Sequence, residues 1–174
     1  MFEKFRSTPD RLAKYARQIR EYDSAKIDDH EIVDLIKEVF GDGIEYDPAR
    51  MGQNRVSPQS IYITNEYCKE FGITLKDIYQ INTHGLRCDE LSDTHDGKHI
   101  VFAGCSVTFG EGLPLEHTWA YKTYKKISES ERLSGYYNIA QSGSSSNWII
   151  IQAMKYVRDY GAPDVLFINF PEAT

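Results

Sequence analysis

The stretch His99–Leu113, HIVFAGCSVTFGEGL, decides the fold of this chain. Its first half is a short run of β-branched and aromatic residues that ends at Gly104, a pattern typical of a buried strand. Its second half is a turn rich in small residues that presents the hydroxyl of Ser106. We predict that Ser106 lies at the carboxyl end of a strand, where open α/β sheets bind ligands. The simpler interpretation is that the glycines only shape a loop and Ser106 caps the next turn.

Helices and strands alternate in the sequence after Ser106. Thr118 is a good N-cap for a helix that runs to about Ser128, and Tyr136–Ala140 follows as a short strand. A second helix is ended by Gly161. The buried side of this second helix is predicted to carry Ile149, Ile150, Ala153, Val157 and Tyr160. The order strand, helix, strand, helix, strand predicts a doubly wound parallel sheet with its loops gathered at the carboxyl ends of the strands.

The last apolar run, Val165–Phe170, is predicted to be a central parallel strand that is covered on both faces. In a flavodoxin-like sheet it would have the Ser106 strand on one side and a fourth strand on the other. No fourth strand follows it in the sequence, so its free edge needs a cover. We expect the N-terminal segment, a second copy of the chain in a homo-oligomer, or a separate carboxyl-terminal half to supply that cover.

The N-terminal part of the chain has mainly helical character. Apolar residues recur at helical spacing in residues 7–20 and in Asp28–Phe40, and Ser60–Thr64 is a short strand candidate. We therefore divide the chain into a helical extension with a linker, residues 1–58, and an α/β domain, residues 59–174, that is truncated at its carboxyl-terminal side.

Composition argues against several classes of partner. The chain has 26 acidic and 20 basic residues and a net charge of −6, so we expect neither a nucleic acid nor a membrane surface as partner. The N-terminus has no uninterrupted apolar core, which favours a cytoplasmic location. The cysteines form no CxxC pair and are predicted to be free thiols. The histidines and aspartates of residues 84–99 have no recognised ligand spacing, so we expect neither a metal nor a cofactor.

Three segments resemble the sequence blocks of the SGNH (GDSL-type) hydrolase superfamily, which comprises flavodoxin-like esterases, lipases and deacetylases. Gly104–Leu113 resembles the block with the nucleophile, Asn138–Ser145 resembles the second block, and Pro163–Phe170 resembles the strand that leads into the third. The motif N-x-x-G-x-R at residues 82–87 is similar to a segment often found before such domains. The resemblance covers residues 82–174 and implies a three-layer α/β/α fold with a parallel sheet.

The resemblance also implies a chemistry. Ser106 would be the nucleophile for a small-molecule or carbohydrate ester, and the amides of Ser106 and Gly143 would line the oxyanion hole. Acyl transfer needs this combination, because a nucleophile must lie beside donors that are aimed at the developing oxyanion.

Two departures from the family pattern weaken the expected activity. The third block has the form G-x-N-D, and in this register its asparagine is replaced by Ala173. The family's Asp-x-x-His pair lies beyond the last residue, which leaves His117 as a weak candidate base. We therefore expect a serine esterase that is incomplete or weakly active as this chain alone. The alternatives are a non-catalytic binding or assembly module and an anion site at the helix start after Gly143.

Overall fold

The computed structural model describes residues 29–41 and 58–171. The predicted helix at residues 7–20 and most of the predicted linker lie outside these ranges. The described residues form an α/β structure, in which a parallel sheet with helices on both faces packs beside a group of helices. No helix in these two ranges combines the length and the apolar content that a bilayer span requires.

The helical group consists of α1 (Asp29–Phe40), α2 (Pro58–Phe71) and α3 (Leu75–Ile78). The predicted helix at Asp28–Phe40 is confirmed by α1. One cluster is shared by the buried apolar side chains of this group: Ile32, Leu35, Ile36, Val39, Ile61, Cys68, Leu75 and Ile78.

The predicted strand at Ser60–Thr64 is wrong, because these residues belong to the first half of α2. Ile61, Thr64 and Cys68 are all buried, and their spacing of three and four residues places them on one helical face. The β-branched run suggested a strand locally. Packing against α1 overrides that weak preference.

The sheet contains β1 (Ile100–Gly104), β2 (Tyr137–Asn138) and β3 (Val165–Asn169) in the order β2-β1-β3. Both pairings are parallel, as predicted. The central strand β1 is buried at every residue, and β3 pairs with it along its whole length. The prediction that the last strand lies beside the Ser106 strand is therefore confirmed.

Four helical segments connect the strands: α4 (Ser106–Phe109), a 3₁₀ helix (Leu115–His117), α5 (Trp119–Ser128) and α6 (Ser146–Tyr160). Side chains of α5 pack against Ile100 and Phe102 on one face of the sheet, whereas α6 packs against Val101 and Ala103 on the other. The predicted cap at Thr118 is confirmed, since its Oγ1 accepts a hydrogen bond from the amide of Tyr121.

Two predictions of burial are wrong. Ile150 and Val157 of α6 are 44% and 38% exposed, whereas the predicted burial of Ile149 and Ala153 is confirmed and the unpredicted Tyr156 is buried with them. Ile149, Ala153 and Tyr156 are spaced by four and three residues, so they form one narrow stripe of α6 that packs against the sheet. Strand β3 is only partly buried, and Ile168 is exposed, since β3 is an edge strand among the described residues.

Two stacked imidazoles join the start of β1 to the end of α6. The rings of His95 and His99 lie 3.5 Å apart between centroids, and His99 Nε2 lies 2.7 Å from the hydroxyl of Tyr156. Burial is the main cause that lowers the pKa of His99 below 6.5, and the neighbouring His95 lowers it further. The carboxylate of Asp164 acts in the opposite direction and is outweighed.

We expect the protein to lose stability as the pH falls below 6.5. The native state favours neutral His99, so near this pH the folded protein binds fewer protons than the unfolded chain. The contribution of neutral His99 to the free energy of unfolding is therefore complete only above pH 6.5. Urea unfolding at several pH values measures this slope. The variant His99→Gln keeps a polar group opposite Tyr156 without titrating, and it should flatten the slope. An unchanged slope in this variant would show that other groups cause the pH dependence.

Candidate functional site

Ser106 lies at the carboxyl end of the central strand β1. Cys105 is the N-cap of α4, and Ser106 is the first residue of that short helix, with its side chain half-buried. The carbonyl of Ser106 accepts hydrogen bonds from the amides of Gly110 and Glu111 at 2.9 and 3.1 Å. The backbone of Ser106 is therefore fixed by the segment that follows it.

The loop with Gly143 follows β2 at the same edge of the sheet. The amide of Gln141 donates to the carbonyl of Gly104 across 3.2 Å, which joins this loop to the end of β1. Gly143 is exposed and has a φ of +72°, a conformation that favours glycine. The residues on either side of it, Ser142 and Ser144, are buried. The loop thus presents an exposed glycine between two buried anchors.

Side chains connect the two loops directly. Ser142 Oγ donates to Glu111 Oε2 across 2.9 Å. Asn138 Nδ2 donates to the carbonyl of Thr108 across 2.9 Å, and Asn138 Oδ1 accepts from the amide of Ala140. The first two predicted blocks therefore meet at one edge of the sheet, whereas the roles of Ser106 and Gly143 stay predictions.

The third strand brings Asn169 to this edge. Asn169 is the register partner of Gly104, and a Cβ on Gly104 would collide with the side chain of Thr108. The glycine is needed here because α4 turns back tightly over the end of β1. Ala173, the position at which the family has its asparagine, lies outside the described residues. Asn169 was not among the predicted site residues, and its position near the end of an apolar run is the sequence signal that could have found it.

His117 is half-buried in the 3₁₀ helix that precedes α5, and the next residue, Thr118, lies against Gly110 of the segment that follows Ser106. Within the described ranges, no histidine ring is hydrogen-bonded to Ser106 Oγ. His95 and His99 belong to the stacked pair, and His84 lies 3.3 Å from the hydroxyl of Tyr160. The described part of the chain contains no group of three or more His, Cys, Asp or Glu side chains that could hold a metal ion.

The three cysteines are free, as predicted. Burial raises the pKa of both Cys68 and Cys88 to about 12, so these thiols are protonated at neutral pH. Cys105 is buried beside Ser106 at the start of α4.

Arg87 lies close to the segment that follows Ser106, although the sequence indicated it only as part of the N-x-x-G-x-R motif. Its side chain is completely buried, and its guanidinium donates four hydrogen bonds to backbone carbonyls. Nη1 reaches Phe109 and Gly110 at 3.2 and 2.6 Å, and Nη2 reaches Ile78 and Leu113 at 2.6 and 2.5 Å. Arg87 thus ties the segment after Ser106 to the end of α3.

The rest of the N-x-x-G-x-R motif directs Arg87 inward. Asn82 Oδ1 accepts hydrogen bonds from the amides of His84 and Leu86 at 3.0 and 2.9 Å, and Gly85 has a φ of +71°. These features form a tight turn. The motif therefore forms a turn that places the guanidinium of Arg87 against residues 109–113, the segment that follows Ser106.

A cleft of about 230 Å³ lies on the α6 side of the sheet. It is bounded by the turn near His84, the end of β2 and one face of α6. Its lining combines apolar groups such as Leu86 and Ile139 with polar groups such as Gln141 and Lys155. Gln141 also bonds to Gly104 through its amide, so the cleft begins one strand away from Ser106.

Comparison of the chain with protein-family models, with curated proteins and with solved structures found no match.

Proposed function

We propose that this chain is an SGNH-type serine hydrolase module that acts on ester bonds. The observation that carries the proposal is the position of Ser106 at the carboxyl end of the central strand, with the Gly143 loop hydrogen-bonded to the same edge. Parallel α/β sheets bind ligands at this edge. The order β2-β1-β3 also agrees with the first three strands of a flavodoxin-like sheet.

In this mechanism the hydroxyl of Ser106 attacks the ester carbonyl and the alcohol leaves, after which water hydrolyses the acyl-enzyme. The amides of Ser106 and Gly143 stabilise the oxyanion, and Asn169 is a further candidate donor from β3. A base must accept the proton of Ser106, and His117 is the candidate by position. Since Ser106 Oγ is not hydrogen-bonded to a histidine in the described ranges, we expect slow turnover from this chain alone.

The proposed substrate is a small polar ester, such as an ester of a carbohydrate. The cleft at the end of β2 supports this proposal, because its lining has both hydrogen-bonding and apolar groups. It would hold the part of the substrate that lies away from the scissile bond.

A fluorophosphonate probe tests the proposal, because it labels a serine only where the hydroxyl is activated. We expect one label per chain in the wild type and none in Ser106→Ala. Ser130→Ala, which changes an exposed serine just after the carboxyl end of α5, should be labelled like the wild type. Nitrophenyl butyrate should be hydrolysed slowly at best. A folded wild-type chain that takes no label would contradict the hydrolase proposal.

A second candidate function, a non-catalytic binding or assembly module, is favoured by the apolar surface of α6 and β3. Its exposed side chains are Ile150, Ile151, Met154, Val157, Ile168 and Phe170. A second copy or a separate carboxyl-terminal half would cover such a surface. An unlabelled chain whose mass by light scattering rises with concentration would support self-assembly.

A further inference from the structure

Glu111 connects the segment after Ser106 to the loop with Gly143. Its Oε2 accepts the hydrogen bond from Ser142 Oγ at 2.9 Å, and Ser142 is only 4% exposed. A buried hydroxyl needs an acceptor, and Glu111 supplies it. Gly143 follows Ser142 directly and is exposed. The carboxylate therefore holds the residue next to the amide that the proposed function places in the oxyanion hole.

The segment that bears Glu111 is itself held on several sides. Arg87 donates to the carbonyls of Phe109, Gly110 and Leu113 within residues 109–113. The hydroxyl of Tyr79 accepts a hydrogen bond from the amide of Gly112 at 2.8 Å. Burial raises the pKa of Tyr79 to about 12, so this hydroxyl stays neutral. Residues 109–113 thus connect Ser106 to the protein interior through several hydrogen bonds.

We propose that residues 109–113 are a brace that sets the position of the Gly143 amide relative to Ser106, with Glu111 as a positioning residue. The brace joins Ser106 through the two amides that bond to its carbonyl, and it joins Ser142 through the Glu111 carboxylate. This inference rests on the proposed function. A large effect on rate is expected because an oxyanion site has strict geometry, and a displacement of about 1 Å can lower a rate by roughly a hundredfold.

The role of Glu111 depends on its acceptor oxygen and not on its charge. Negative charge near an oxyanion opposes the reaction, so a neutral acceptor of the same shape serves at least as well. Glutamine keeps such an oxygen and alanine does not. The pair Glu111→Gln and Glu111→Ala therefore separates positioning from an electrostatic role.

The first measurement is the rate of Ser106 labelling at saturating fluorophosphonate. We expect Glu111→Ala and Ser142→Ala each to lower this rate about tenfold or more. The double variant should be no slower than Glu111→Ala alone, because Glu111→Ala already removes the contact that Ser142→Ala removes. Glu111→Gln should keep the labelling rate within about threefold of that of the wild type. The control Glu129→Ala changes an exposed glutamate on the surface and should have the labelling rate of the wild type. Equal rates in Glu111→Ala and the wild type, or an equal loss in Glu111→Gln, would overturn the brace.

The second measurement does not depend on activity. The NMR order parameter of the Gly143 N–H should fall from about 0.85 to below about 0.6 in Ser142→Ala. If the wild type takes no label, the proposed function fails, and this order parameter alone decides whether the brace stands. An unchanged order parameter overturns the brace, even where the labelling rate falls.

Discussion

Arg87→Met is expected to lower the free energy of unfolding by about 3 to 5 kcal/mol. The change removes four hydrogen bonds and takes the donor from the carbonyls of Ile78, Phe109 and Leu113, whereas the carbonyl of Gly110 keeps its hydrogen bond from the amide of Leu113. Each carbonyl that loses its partner costs about 1 to 3 kcal/mol. One effect opposes this loss of stability: methionine removes a buried charge, and the unfavourable burial of that charge is what lowers the pKa of Arg87. The cost of the unpaired carbonyls is larger than this gain.

Urea unfolding of Arg87→Met and of a control measures this effect. Arg158→Met is the matched control, because Arg158 is exposed and, among the described residues, forms its ion pair with its neighbour Asp159. The control should change stability by less than about 0.5 kcal/mol. Arg87→Lys should lie between the two, since an ammonium keeps the charge but cannot reach carbonyls in a planar fork. Equal stabilities of Arg87→Met and Arg158→Met would mean that the fork contributes nothing to folding.

Gly110→Ala is the second change with a large expected effect, a loss of about 2 to 4 kcal/mol. Gly110 has a φ of +79° and a ψ of +46°, which is the left-handed region that costs an alanine about 1 kcal/mol or more. A Cβ at this position would also collide with the side chain of Thr118 and come within 3.0 Å of Arg87 Nη1. Overpacking of this kind costs about 1 to 3 kcal/mol more.

Gly72→Ala separates the two contributions. Gly72 also has a positive φ, of +64°, but a Cβ there would have nothing within 4 Å. It should lose only the backbone contribution of about 1 kcal/mol. The difference between the variants therefore measures the collision. Since the amide of Gly110 bonds to the carbonyl of Ser106, Gly110→Ala should also slow labelling of Ser106, whereas Gly72→Ala should not.

The α/β class could be predicted because its signals are local. The buried run of β1, the cap at Thr118 and the helix end at Gly161 each depend on residues within one or two turns of the chain. The same local signals predicted that Ser106 follows a strand. They could not reveal the fork of Arg87, whose acceptors lie between 9 and 26 residues away in the sequence.

The wrong predictions also concern features that depend on contacts between segments far apart in the sequence. The run at Ser60–Thr64 has the composition of a strand, and only its packing against α1 makes it helical. The helix α6 was placed correctly, but the face that it buries depends on where the neighbouring strands lie. Burial of β3 likewise depends on its place at the edge of the described sheet.

The sequence by itself determined the alternation of strands and helices, the parallel sheet and the position of Ser106 at the end of a strand. These features follow from hydrophobic period and capping, which act between residues close in the chain. Only the tertiary structure decided that Arg87 lies under the Ser106 segment and that Glu111 meets Ser142. Such contacts join segments far apart in sequence, and they form only when the packed sheet brings those segments together.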